Sequence, residues 1–147
     1  SMGNYLLKQV MKSMASEGTE LLFDNVVLVA ADTNNRDHRS WVDRIRVRRR
    51  VIITINELDH ALAVSRAKSG DEQLARLGHS INDLESRRAV YVNFTGAKAV
   101  NTSHAYFEGD AVEKNPRIRT FFREAFRGLD AERRLNYKAS RNVFEFE

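Results

Sequence analysis

The sequence predicts an α/β fold, a mainly parallel sheet flanked by helices. Three observations carry this. The chain alternates helix, strand, helix, strand, helix, strand, helix, the order expected of parallel strands joined by crossover helices. Each strand is a continuous β-branched or aromatic run, the pattern of strands covered on both faces. The chain has 147 residues, 42% hydrophobic and 30% charged, with no repeat, low-complexity tract or linker, so residues 1–147 read as a single domain.

The first element is "NYLLKQVMKSMASEG", with Leu6, Leu7, Val10, Met11 and Met14 at helical spacing and Gly18 as a stop. Residues 25–32, "NVVLVAAD", are too short for a buried helix and read as a strand. The polar stretch "TNNRDHRSWVDRI" predicts a helical turn around Ser40 to Ile45, and Val51 to Ile55 give the second strand. "HALAVSRAKSG" reads as a helix closed by Gly70, and "DEQLARLGHS" as a further turn or two ending near Gly78. "RAVYVNFTG" is the third strand, followed by a loop containing "NTSHAYFEGD". In "NPRIRTFFREAFRG", Pro116 near the start and an apolar face of Ile118, Phe121, Phe122, Ala125 and Phe126 predict a helix. The tail "LDAERRLNYKASRNVFEFE" reads as charged and less regular.

Composition narrows the chemistry. With no cysteine, disulfides and thiolate metal sites are excluded. No apolar run approaches the roughly 18–20 residues of a membrane span. Neither a metal-ligand cluster nor a phosphate-binding Gly-rich loop is evident, so no cofactor is expected. The net charge is +4, and the basic excess is local: "RIRVRRR", residues 44–50, holds five arginines. Such a patch can be the footprint of a nucleic-acid binder. Here it alternates with Ile45 and Val47 and has no interleaved aromatics, so a solvated face is the stronger reading.

Ligand sites in parallel sheets lie beyond the carboxyl ends of the strands, which directs attention to the residues just after Ala31, Ile55 and Phe94. Asp32 comes after the first strand; Glu57, Asp59 and His60 come after the second; His104, in "SHAYF", comes after the third. Taken singly these residues are ambiguous. Asp59 and Asp32 each suit a helix N-cap, and His60 and His79 suit surface turns. The opening "SMG" reads either as an expression remnant or as the second half of a G-x-S-x-G nucleophile elbow.

The motifs taken together resemble the C-terminal half of an α/β-hydrolase from its nucleophile elbow onward, so that residues 1–147 form the C-terminal portion of that fold, with about three strands after the elbow. The likeness is to a bacterial esterase/lipase-like group whose role is not established. It rests on "SMGNYLLKQV", "LVAADT", "NELDHALAVS", "ARLG" and "SHAYF", in that order. An expression remnant recreating S-M-G-N ahead of the right helix would be a coincidence, so the elbow is favoured. The resemblance implies Ser1 as nucleophile, Asp59 as acid, His104 as base and the Met2 backbone N–H as one oxyanion donor, with Asp32 as the reserve acid.

The resemblance also implies segments preceding the elbow that this sequence lacks. The expectation is therefore either a second chain, identical or complementing, across an open sheet edge, or a folded fragment that is inactive. The leading function is a serine hydrolase acting on a carboxylic ester through an acyl-enzyme, in the cytoplasm. A non-catalytic α/β interaction module and an Arg-patch nucleic-acid binder are the alternatives.

Overall fold

The computed structural model describes residues 2–13, 23–68 and 74–147. The three predicted strands, β1 (Asn25–Leu28), β2 (Arg50–Ile55) and β3 (Ala89–Asn93), lie side by side and parallel. Parallel neighbours need long crossover connections, and helices supply them. A short α2 (Arg39–Val42) leads from β1 to β2; α3 (His60–Lys68) and a 3-10 turn at Leu77–His79 lead from β2 to β3. Beyond β3 come α4 (Gly109–Lys114) and α5 (Pro116–Phe126). The opening helix, α1, spans Met2–Ser13; Met14, Gly18 and Gly70, placed in or beside helices by the sequence pattern, lie outside the described residues.

The sheet is buried on both faces because its central strands are apolar on both. Along β2, Val51, Ile53 and Ile55 pack with Trp41, Val42 and Leu77, while Ile52 packs the other way with Phe121 and Phe122 of α5. Helix α5 forms as the periodicity predicts and buries Ile118, Phe121, Phe122 and Ala125, but Phe126, expected on the same apolar face, is exposed in the helix's last turn. Asn115 accepts hydrogen bonds from the Arg117 and Ile118 backbone N–H groups, and Pro116 occupies the first turn, where its missing N–H costs nothing. On α1, Leu7 and Met11 pack against the β1–β2 layer, whereas Tyr5, Leu6 and Val10 are exposed.

Four expectations need correction. The first strand ends at Leu28 rather than Asp32, because Ala30 turns the chain out of the sheet at φ +46°. The predicted turn around Ser40 to Ile45 begins and ends earlier, as α2. The region expected to be a loop after "SHAYF" contains α4. The tail is not irregular: it forms β4 (Asn136–Lys138) and β5 (Val143–Glu145), an antiparallel pair whose Tyr137 and Phe144 rings lie 4.8 Å apart.

The sheet thus has five strands, in the order β1-β2-β3-β5-β4, where about three were expected. β5 pairs parallel with β3 through Val92–Phe144 and Asn93–Glu145, covering that edge. β1 pairs only with β2 among the described residues.

Phe94 centres the aromatic layer between the sheet and α5, with ring centroids 5.3 Å from Tyr106, 5.2 Å from Phe121, 5.5 Å from Phe122 and 4.7 Å from Phe146. Phe94→Ala is expected to cost about 3–5 kcal/mol in urea unfolding, since removing the ring leaves a cavity bounded by four others.

On the opposite face, buried His38 donates from Nδ1 to the Asn35 carbonyl at 2.6 Å and accepts at Nε2 from the Tyr91 hydroxyl at 2.5 Å. Burial lowers its pKa, and the Asn35 carbonyl with Glu85, Asp43 and Asp37 only partly opposes this. The unfolded chain therefore takes up a proton near the ordinary 6.5 while the folded chain resists it. Stability from this group is complete above that pH and falls as the pH drops below it. Urea midpoints compared at about pH 7.5 and about pH 5.5 should fall more steeply for the unaltered protein than for His38→Gln.

Candidate functional site

Beyond the carboxyl end of β2 the chain turns sharply. The Asp59 N–H donates to the Asn56 carbonyl at 3.1 Å, and the Leu58 N–H donates to Asn56 Oδ1 at 3.1 Å. This Asx-type turn carries Asp59 inward to 0% exposure. A carboxylate so placed needs partners for both oxygens. Oδ1 accepts from the Leu62 N–H at 3.0 Å and so caps α3, whose N-terminal dipole favours the negative charge. Oδ2 lies 2.8 Å from His104 Nδ1. Capping and histidine pairing are therefore not alternatives for Asp59; each uses one oxygen.

His104 reaches that carboxylate from the loop after β3. The loop is tied at its start, where the Phe94 N–H donates to the Ile55 carbonyl at 2.7 Å. It is pinned again just past His104, where Tyr106 is buried against Phe94 and its hydroxyl lies 2.7 Å from Thr54 Oγ1. Burial pushes the Tyr106 pKa up, so the phenol stays neutral. The His104 side chain is 33% exposed, and no described residue bonds its Nε2. With Nδ1–H donated to Asp59, a neutral imidazole carries its free lone pair on Nε2, the arrangement of a general base.

The reserve acid stands elsewhere. Asp32 accepts from Ser65 Oγ of α3 at 2.8 and 3.0 Å and lies 3.3 Å from Arg76 Nε. It bonds no histidine among the described residues; its contacts link the end of β1 to α3 and to the segment before the 3-10 turn. His60 is exposed, its backbone N–H donating to the Thr102 carbonyl at 3.3 Å. Ser1 lies outside the described residues. Met2 begins α1, and Asn4 Nδ2 donates to the Val29 carbonyl at 3.0 Å. That bond holds the first turn of α1 near the carboxyl end of β1, the end of the sheet that carries Asp59 and His104.

The Arg-Leu-Gly turn has a physical reason that the sequence pattern did not disclose. Arg76 pairs with Asp32, Leu77 is buried, and Gly78 wedges between two strand ends. The Gly78 N–H donates to the Ala31 carbonyl at 3.0 Å, while its own carbonyl accepts from the Asn56 N–H at 3.0 Å. A Cβ here would stand 2.4 Å from the Ala31 nitrogen and 2.9 Å from the Ala30 carbonyl carbon, both backbone atoms. No group of three or more His, Asp or Glu placed to hold a metal occurs among the described residues.

The arginine run is largely paired with carboxylates. Arg48 meets Asp24 at 3.4 Å, Arg50 meets Glu132 at 2.7 Å and Asp130 at 3.6 Å, and Arg49 lies 4.0 Å from Asp130. These contacts tie the start of β2 to the segments flanking β1 and following α5. No described helix is long and apolar enough to cross a membrane.

Gly78→Ala should force the β1 and β2 ends apart, costing about 1–3 kcal/mol in chemical unfolding as overpacking does. Because the displaced backbone carries the Asn56 turn, the same variant should also weaken the Asp59–His104 bond, read as broadening of its low-field proton resonance.

No curated protein and no solved structure matches the chain. One family model does, over residues 1–117, well beyond half of the sequence; it describes alpha/beta hydrolases of unknown function. The matched span runs from the opening helix through β3, Asp59 and His104 into α5. The chain belongs to this alpha/beta hydrolase family, DUF900.

Proposed function

We propose that this chain carries the nucleophile, acid and base of a serine hydrolase acting on a carboxylic ester. The observation that carries the reading is the buried Asp59 carboxylate 2.8 Å from Nδ1 of a partly exposed histidine whose Nε2 no described residue occupies. A serine hydroxyl is a weak nucleophile at its own pKa and needs such an imidazole to take its proton. In the proposed reaction Ser1 Oγ attacks the ester carbonyl while His104 Nε2 accepts the hydroxyl proton. Asp59 stabilises the imidazolium and holds its tautomer. The Met2 N–H donates to the oxyanion. Collapse expels the alcohol, protonated by His104, and leaves an acyl-serine. Water, deprotonated by the same Nε2, then releases the carboxylic acid and restores Ser1. Support for Ser1 comes from the Asn4–Val29 bond, which keeps the first turn of α1 at this end of the sheet.

Intact-mass analysis after a fluorophosphonate probe tests this. The unaltered protein should gain one phosphonyl group per chain, and Ser1→Ala none. His104→Ala and Asp59→Asn should label slower by roughly 10³-fold or more, because triad members act as a unit. A folded sample that takes no label, or labelling that survives Ser1→Ala, would sink the proposal.

A further inference from the structure

Asn56 is 0% exposed and is the meeting point of the two segments that carry Asp59 and His104. Its Nδ2 donates to the Asn101 carbonyl at 3.0 Å and to the Ser103 carbonyl at 3.0 Å, the two residues being in the His104 loop. Its Oδ1 accepts from the Leu58 N–H at 3.1 Å, its carbonyl accepts from the Asp59 N–H at 3.1 Å, and its own N–H donates to the Gly78 carbonyl at 3.0 Å. Two carbonyls on one side and an N–H on the other admit only one orientation of the carboxamide. With both amide protons donated and the oxygen accepting, the side chain is bound at both of its ends.

We infer that Asn56 is a positioning residue that holds the His104 loop in register with Asp59. The inference rests on reading that pair as the base and acid of the proposed hydrolase. The side chain shapes the turn that delivers Asp59 and, from its other end, fixes the carbonyl immediately before His104. One rigid group thus sets the distance between two partners that are 45 residues apart in sequence. The tie is not redundant with Tyr106, which pins the loop on the far side of His104 through Thr54. Nor does any close relative of asparagine reproduce it. Aspartate has no donor for two carbonyls, and serine can keep the Asx-type turn but offers a single hydrogen. The loop needs holding, since Ala99 at φ +72° and Asn101 at φ +46° lie in the left-handed region just before the base.

The test reads the Asp59–His104 bond itself, as the low-field Nδ1 proton resonance, beside the rate of fluorophosphonate labelling. Asn56→Ser and Asn56→Asp should lose or broaden that resonance and slow labelling by about 10- to 100-fold, the effect of a misplacement on the order of 1 Å. Ile118→Ala, a cavity in α5 away from the pair, serves as a destabilised control and should keep both signals. If Asn56→Ser retains the resonance and the labelling rate, the inference is overturned. If the unaltered protein takes no label but its resonance is present and vanishes in the Asn56 variants, the hydrolase reading falls and the positioning role stands. Should neither variant fold, exchange in the unaltered protein decides. The Asn56 Nδ2 protons and the His104 Nδ1 proton should open to solvent together, within about 3-fold once intrinsic rates are removed. Protection of the histidine proton that persists after the asparagine protons have exchanged would refute the inference.

Discussion

The arrangement at the carboxyl end of the sheet follows from one constraint, a carboxylate with no access to solvent. Asp59 is fully buried and cannot be left half-satisfied without a desolvation cost of several kcal/mol. Its two oxygens are answered from two directions, by the N-terminal turn of α3 and by the imidazole of His104. The helix therefore has to begin where it does, one residue after the acid, and the loop after β3 has to cross over the end of β2. Removing either partner would leave a buried charge, so the fold and the pair are coupled.

Around that carboxylate the strand ends are brought closer than ordinary side chains allow. Gly78 sits within the approach of the β1 and β2 ends, bonded to Ala31 on one side and Asn56 on the other. Asp32, which a reading of strand ends alone makes a rival acid, takes part in the same construction by engaging Ser65 and Arg76. The division of labour is electrostatic. Asp32 faces a guanidinium and a hydroxyl and serves as a brace; Asp59 faces a helix N-terminus and an imidazole.

The parallel core was legible because its strands are apolar on both faces and its long helix has clear periodicity and a Pro116 start. The pairing partners Asp59 and His104 were legible as strand-end residues within recognisable motifs, although nothing in the sequence said that one aspartate would both cap and pair. The β4–β5 hairpin was not legible. Each of these strands has three residues, too few to show a period, and the β4 side chains are all exposed. The free edge of β3 orders them, a tertiary effect with no local signature. Asn56 escaped notice for the same reason: its bonds reach residues 45 and 47 positions away. The Arg-Leu-Gly turn was visible as a motif but not as a mechanism, because the need for glycine lies in the backbone of Ala30 and Ala31.

Backbone strain also gathers at this end of the molecule. Ala30 at φ +46°, Ala99 at φ +72° and Asn101 at φ +46° each occupy a region that costs an ordinary L-residue about 1–2 kcal/mol. Such residues persist only where the surroundings over-determine them. Around Ala30 that determination comes from the Gly78 wedge against its backbone. Around Ala99 and Asn101 it comes from buried Val100 and from the carboxamide of Asn56. The same contacts that hold strained backbone in place hold His104 to Asp59, so loosening one would release the other. His104 sits on a loop that is fastened on both sides of it, to Asn56 just past β2 and to Thr54 within it.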